Sequence, residues 1–239
     1  MRNIDIDQER AFENQKVTDG SPRKSQSRFY WAVDLPTKAH FDRSLARIRG
    51  LKALEVGCSS GEDAVLYAAS AKRFVGVDLS DEAIFVARSR NIENAEFHCT
   101  DAHILPFGDA EFDVVIVNSL LHHLDLDVAL TEIQRVLTPK GVLVFREPLG
   151  TNPLFQLYRY LTPNARTIDE RPFTFADLRL LKSKYDVQES DWFGFFNIVS
   201  AFGGSKKLRA ILTDLDAVLA KTPIKYFFWQ FAGFGVVRK

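Results

Sequence analysis

The sequence predicts an α/β fold, a mostly parallel sheet of seven strands with helices on both faces. Three observations carry this reading. Between residues 51 and 148, short aliphatic runs alternate with helical stretches of about ten residues, the rhythm of right-handed βαβ units. The runs are almost unbroken apolar, as strands become when helices cover both faces. The chain has 239 residues, 46% apolar and 26% charged, enough to bury a substantial core in one large domain.

Residues 1–50 read as an N-terminal helical cap. Positions 1–36 are mixed and polar, with basic Arg23, Lys24 and Arg28 ahead of the aromatic Phe29, Tyr30 and Trp31. The basic residues suit a solvated surface. The aromatic trio either packs on the core or forms a flap over a pocket. Phe41, Leu45 and Ile48 then share one face of a helix that Gly50 ends. From residue 51, LKALEV is a strand, GCSSG a tight turn and EDAVLYAASA a helix. FVGVD is the second strand, followed by the helix SDEAIFVARSR, which Ser80 caps with Asp81 and Glu82 at its positive end. AEFHCTD and DVVIVNS are the third and fourth strands. DVALTEIQRVL is a helix with Ala129, Ile133, Val136 and Leu137 on one face, and GVLVFREP is the fifth strand. The rhythm breaks after Pro148, and residues 149–173, with Pro153, Pro163 and Pro172, read as a lid inserted into a domain spanning 51–239. Thr174 and Asp177 form a capping box for the helix FADLRLLKSK. YDVQESDWF and YFFWQFAGFGVV are the sixth and seventh strands, with a helix between them.

Charge and cysteine content narrow the partners. Lys plus Arg and Asp plus Glu are both 31, so the basic excess of a dedicated nucleic-acid binder is missing. Two cysteines, Cys58 and Cys99, make neither a disulfide framework nor a thiolate zinc site, and no metal is expected. The segment MRNIDIDQER lacks the apolar core of a secretory signal, and no run is long enough to span a bilayer. A soluble cytoplasmic protein acting on a small molecule is expected, with a homodimer allowed.

The strand–turn–helix ALEVGCSSGEDA has three readings. A dinucleotide fingerprint needs G-x-G-x-x-G/A, but Ser59 and Glu62 stand where that pattern continues, and Glu62 and Asp63 would repel a pyrophosphate. A P-loop needs a lysine where Glu62 stands. The second reading is a nucleophile elbow, because Gly57 to Gly61 spell G-x-S-x-G with Ser59 as nucleophile. Such a serine hydrolase needs strands before the elbow and a late histidine, yet the last histidine is His123.

The third reading is S-adenosylmethionine binding. Residues 51–150 resemble the core of the class I S-adenosylmethionine-dependent methyltransferases, in their small-molecule type. Glu55, Gly57 and Gly61, with Cys58 and Ser59 between the glycines, match the family's acid-x-Gly-x-Gly-x-Gly motif, Ser59 standing for its middle glycine. Asp78, followed by Leu79, matches the acid that binds the ribose hydroxyls. Asp101 and Ala102 match the pair beside the adenine. NSLLHHL, opening with Asn118 and Ser119, resembles the stretch near the methyl group. RVLTPKGVLVFREP resembles the turn before strand five, with Lys140 replacing a glycine. The resemblance implies a Rossmann-like sheet of five parallel strands plus a closing hairpin, with S-adenosylmethionine as cofactor and S-adenosylhomocysteine (SAH) as product.

Methyl transfer is an in-line displacement, so holding nucleophile and methyl carbon together supplies much of the acceleration. A base is needed only if the acceptor must lose a proton. His122 and His123 are candidates, one as base or orienter and the other packing. Glu147 comes next, and Tyr30 is a candidate to fold over the cofactor. The aromatic stretches WFGFF and YFFWQF suggest an apolar or aromatic acceptor, since aromatic faces also attract a sulfonium; the competing reading makes them buried strands. A protein of this fold that binds the cofactor without catalysis is the alternative that the Ser59 and Lys140 departures support.

Overall fold

The computed structural model describes residues 5–18, 27–161 and 171–238. Three helices come first: α1 (Ile6–Thr18), α2 (Ser27–Ala32) and α3 (Asp34–Ile48). The alternating unit follows as β1 (Lys52–Val56), α4 (Ala64–Ser70), β2 (Arg73–Asp78), α5 (Asp81–Ser89), β3 (Ala95–Cys99), β4 (Phe112–Asn118), α6 (Leu126–Val136) and β5 (Leu137–Pro148). The chain continues with α7 (Pro153–Leu161), α8 (Phe175–Lys184), β6 (Tyr185–Phe193), α9 (Lys206–Leu219) and β7 (Gln230–Val237). The seven strands form one sheet in the order β3-β2-β1-β4-β5-β7-β6. Strands β1 to β5 pair in parallel, while β7 runs antiparallel to both β5 and β6. The parallel sheet with a closing antiparallel pair is as the sequence predicts.

The period-two alternation of each strand divides the core into two layers. Leu54, Val56, Val75, Val77, Val115, Val117, Leu143 and Phe145 face α6 and α8, meeting Ala129, Ile133, Leu178 and Leu181. Ala53, Phe74, Val114, Ile116 and Val144 face α3, α4 and α5, meeting Ile48, Ala64, Tyr67, Ile84 and Ala87. Each such fully buried aliphatic or aromatic side chain contributes roughly 1.5–3 kcal/mol. The alternation also sends the neighbours Arg146 and Glu147 to opposite faces.

Local signals set most boundaries. The Ser80 hydroxyl accepts from Ala83 N–H, and Thr174 and Asp177 form the expected reciprocal box. Two strand boundaries need correction. The seventh strand starts at Gln230 rather than at residue 226, because Thr222 caps a 3₁₀ turn, Pro223–Phe227, instead. Strand β5 begins four residues early, at Leu137, which pairs with Phe112 across a register shift. The polar lead-in contains α1, whose residues carry almost no apolar periodicity. Its start is nevertheless written locally: Asp5 Oδ1 accepts from Gln8 N–H at 3.0 Å.

The aromatic trio packs against other side chains, Tyr30 staying exposed and Phe29 and Trp31 half-buried. Phe29 lies edge-on to Phe202 at 5.6 Å, Tyr30 leans on Trp229 at 5.6 Å, and the Arg209 guanidinium covers Trp31 at 4.3 Å. Trp192, Phe193, Phe228, Trp229 and Phe231 are buried, so the two aromatic stretches belong mainly to the core. They give no support to an aromatic acceptor. Arg23 and Lys24 lie outside the described residues, as does the middle of the insert, residues 162–170. Among the described residues, no helix is long and apolar enough to cross a membrane, and no cluster suited to a metal ion occurs.

Candidate functional site

At the carboxyl ends of β1, β2 and β4, α1 roofs a cavity of about 510 Å³. Ligands of open α/β sheets bind at this edge. Gly57, Ser59, Asp78, Leu79, Asp101, Ala102, Asn118, Ser119 and His123 all line it, brought together from four separate loops. Glu55, Cys58, Gly61, His122, Glu147 and Tyr30 do not.

The turn after β1 owes its path to left-handed backbone: Gly57 has φ +81°, Ser59 +48° and Gly61 +71°. Glycine adopts this region freely, whereas a serine is strained there. Two anchors hold the turn, since Gly57 N–H and Cys58 N–H both donate to Val77 O, at 2.8 and 3.0 Å. Gly61 serves packing instead, because a Cβ there would lie 3.2 Å from Ala87 Cβ. The Cys58 side chain is buried beneath the turn, and burial pushes its thiol far above the usual range.

Asp78 closes the turn from β2. One carboxylate oxygen accepts from Ser59 N–H at 2.8 Å and the other from Ser80 N–H at 2.9 Å. Each oxygen has two lone pairs, so one on each stays open to a diol. Burial raises the Asp78 carboxyl, and those backbone donors oppose the shift. Asp101 is oriented by His103, whose Nε2 accepts from Asp125 N–H at 3.0 Å. That bond places the ring proton on Nδ1, which donates to Asp101 Oδ1 at 2.6 Å, beside His103 N–H at 2.9 Å. Oδ2 is left for an amine.

Glu147 lies wholly buried on the α6 face of β5. Its Oε1 accepts from Leu120 N–H at 2.9 Å and Leu121 N–H at 2.8 Å, and its Oε2 is 2.6 Å from His122 Nδ1. One carboxylate therefore gathers the whole turn after β4. His123, the next residue, reaches the cavity wall with Nδ1 2.9 Å from Glu9 Oε1 of α1, an ion-pair distance without hydrogen-bond alignment. Asn14 fastens α1 as well, donating to Asp81 Oδ1 at 2.8 Å and accepting from the Ser80 hydroxyl at 2.6 Å. Ile6, Glu9, Glu13, Lys16 and Val17 of this helix line the roof, a part of the site that sequence reading missed.

The charge of the cavity selects among ligands. Glu9, Glu13, Glu62, Asp78 and Asp101 face it against Lys16 and Arg90, five carboxylates to two cations. A pyrophosphate is unwelcome there, whereas a sulfonium with an amino group fits. Beneath the turn, burial and then the carboxylates Asp63, Asp78 and Glu62 push the Glu55 carboxyl well above its ordinary range. Its Oε2 finds no hydrogen bond among the described residues, and the side chain lies beneath the turn rather than on the cavity wall. A hydrolase at Ser59 lacks its base: among the described residues no histidine is hydrogen-bonded to Ser59, and His123 is held by Glu9.

Comparison with known proteins agrees with this arrangement. Residues 54–145 match the family described as a methyltransferase domain. The fatty-acid O-methyltransferase of Mycolicibacterium smegmatis is 32% identical over 156 residues, 63% of this chain and 57% of that protein. The chain thus spans less than two thirds of that relative's length. The demethylmenaquinone methyltransferase of Staphylococcus aureus is 35% identical over 178 residues, 71% of this chain and 69% of that protein. In fold, the N-methyltransferase NodS of Bradyrhizobium japonicum, solved with SAH, superposes with a TM-score of 0.58 at 17% identity, covering 94% of this chain and 98% of that one. With the ordered motifs of the sequence now gathered around one cavity, the conclusion is that this chain belongs to the class I S-adenosylmethionine-dependent methyltransferases.

Proposed function

We propose that the chain transfers a methyl group from S-adenosylmethionine to a small-molecule acceptor. The observation that carries this is the acidic cavity beneath α1, where Asp78 keeps two lone pairs open at the tip of β2 and Asp101 keeps one oxygen free at the end of β3. When bound, the cofactor supplies a methyl carbon activated by a sulfonium. The chain's residues bind and orient: Asp78 takes the ribose hydroxyls, Asp101 and Ala102 the adenine edge, and Gly57, Ser59, Asn118 and Ser119 the methionine end. Glu147 acts as a positioning residue through Leu120, Leu121 and His122, and His123 ties the reactive edge to α1. Tyr30 leans on Trp229 and does not line this cavity.

We take residues 1–50 as a cap on a catalytic unit of 51–239, in a cytoplasmic enzyme with no nucleic-acid partner. We take the insert at about 149–173 as a lid. One relative is named for fatty acids and another for demethylmenaquinone, which supports an apolar small acceptor. Incubation with methyl-labelled S-adenosylmethionine and a panel of fatty acids, phenols and amines tests the reading. Label should pass to one class of acceptor. Tight SAH binding with no transfer to any of them would favour the non-catalytic alternative.

A further inference from the structure

A second cleft, of about 270 Å³, opens on the α3–α4 face of the sheet and shares Asn118 with the first cavity. Arg146 rises into it from β5, in register with Asn118 of β4. Among the described residues its guanidinium has no hydrogen-bond or ion-pair partner, although five N–H groups need acceptors. Its neighbours are unmet as well. Among the described residues Thr37 Oγ1 and both ring nitrogens of the buried His40 find no hydrogen bond, though Nδ1 lies at ion-pair distance, 3.7 Å, from Asp191 Oδ2. Tyr67 OH and Asn118 Nδ2 meet at a long 3.5 Å.

The other charges of the cleft are partly engaged: Lys38 is 3.5 Å from Asp42, and Asp34 is 3.4 Å from Arg209. Asp63 faces Arg146 from beyond ion-pair distance; burial raises its carboxyl and the Arg146 charge draws it down. One unpaired guanidinium fork beside neutral donors matches a planar monoanion held by two parallel bonds. Asp34 and Asp63 would repel a second negative charge. Phe41 and Leu66 supply apolar wall for the rest of the ligand.

We propose that this cleft receives the acceptor and that the acceptor presents a carboxylate to Arg146, an inference that rests on the methyltransferase reading above. One carboxylate oxygen forms the new bond to the methyl carbon as the carbon–sulfur bond breaks, its electron pair staying on sulfur. The ionised acceptor brings its own lone pair, so no proton moves and no base is required. That agrees with the sealed position of His122 behind Glu147.

The test uses calorimetry with decanoate, its uncharged counterpart decanol, and SAH, on the wild-type chain and on Arg146→Met and Arg146→Lys. With SAH present, the wild type should bind decanoate and convert it to its methyl ester when methyl donor replaces SAH. Arg146→Met should weaken decanoate roughly ten- to hundredfold, the size of a lost charge-assisted pair, and leave decanol and SAH within about twofold. Arg146→Lys, which keeps charge but loses the fork, should fall between. A parallel loss of SAH affinity would overturn the proposal by giving the cleft to the cofactor's own carboxylate. Unchanged decanoate binding, or none in a wild type that binds SAH, would overturn it too. Failure of the wild type to bind SAH at all would instead strike the methyltransferase reading.

Discussion

Removing the Glu147 carboxylate should reveal how much of the turn after β4 depends on one side chain. In Glu147→Ala, Leu120 N–H, Leu121 N–H and His122 Nδ1–H lose their acceptor in a fully buried place. A buried donor left unmatched costs about 1–3 kcal/mol, so three cost about 3–9 kcal/mol. Domains have only about 5–15 kcal/mol in total, so this variant should be marginal or unfolded. Glu147→Gln is gentler. Its oxygen can serve Leu120 and Leu121, while its amide N–H groups oppose the ring and drive the His122 proton from Nδ1 to Nε2. The expected loss is about 1–3 kcal/mol, one hydrogen bond to a charged group. Urea unfolding followed by circular dichroism gives both energies, and ¹⁵N chemical shifts of the imidazole report the tautomer. An alanine variant that loses under about 1 kcal/mol, or a glutamine variant with the ring proton still on Nδ1, would refute this view of the turn.

Further outcomes follow from the same geometry. Asp78→Ala removes the acceptor of Ser59 N–H and Ser80 N–H along with both open lone pairs, so SAH affinity should drop at least about hundredfold, with a smaller loss of stability. Calorimetry showing unaltered SAH binding would reverse the assignment of that carboxylate. Gly57→Ala places a Cβ 2.9 Å from Leu120 Cδ2 on left-handed backbone, and should lower stability by about 1–2 kcal/mol while weakening SAH. Asp177 supplies a pH dependence. Burial alone would raise its carboxyl, but the Thr174 hydroxyl and N–H and the Arg171 guanidinium outweigh burial and lower it. A depressed carboxyl stabilises the fold above its ordinary value of 3.8 and loses that contribution as acid protonates the native state. Arg171→Ala should therefore reduce stability at neutral pH and flatten its decline in acid, as read by denaturant titration at several pH values.

The legible part of the molecule is the part written in local signals. Short apolar runs alternating with helical stretches gave the five parallel strands, and Ser80 and Thr174 marked helix starts that the structure reproduces. Nine of the proposed site residues meet at one cavity because each lies at the end of a strand, and a parallel sheet brings strand ends to one edge. Helix α1 escaped because the contacts that fasten it are polar: Glu9 toward His123, and Asn14 toward Ser80 and Asp81. Apolar periodicity cannot find such a helix. Glu147 and His122 each stand out in the sequence alone, yet their pairing depends on β5 lying beside β4, a relation without a local signature. The aromatic stretches misled because buried rings and ligand-binding rings have the same composition.

The most direct measurement is a crystal structure of the wild-type chain grown with SAH. The account predicts its ribose hydroxyls on the Asp78 carboxylate, its adenine beside Asp101 and Ala102, and its sulfur beneath α1 near Asn118. SAH seated elsewhere, or that cavity still closed by its own side chains at saturating ligand, would contradict it.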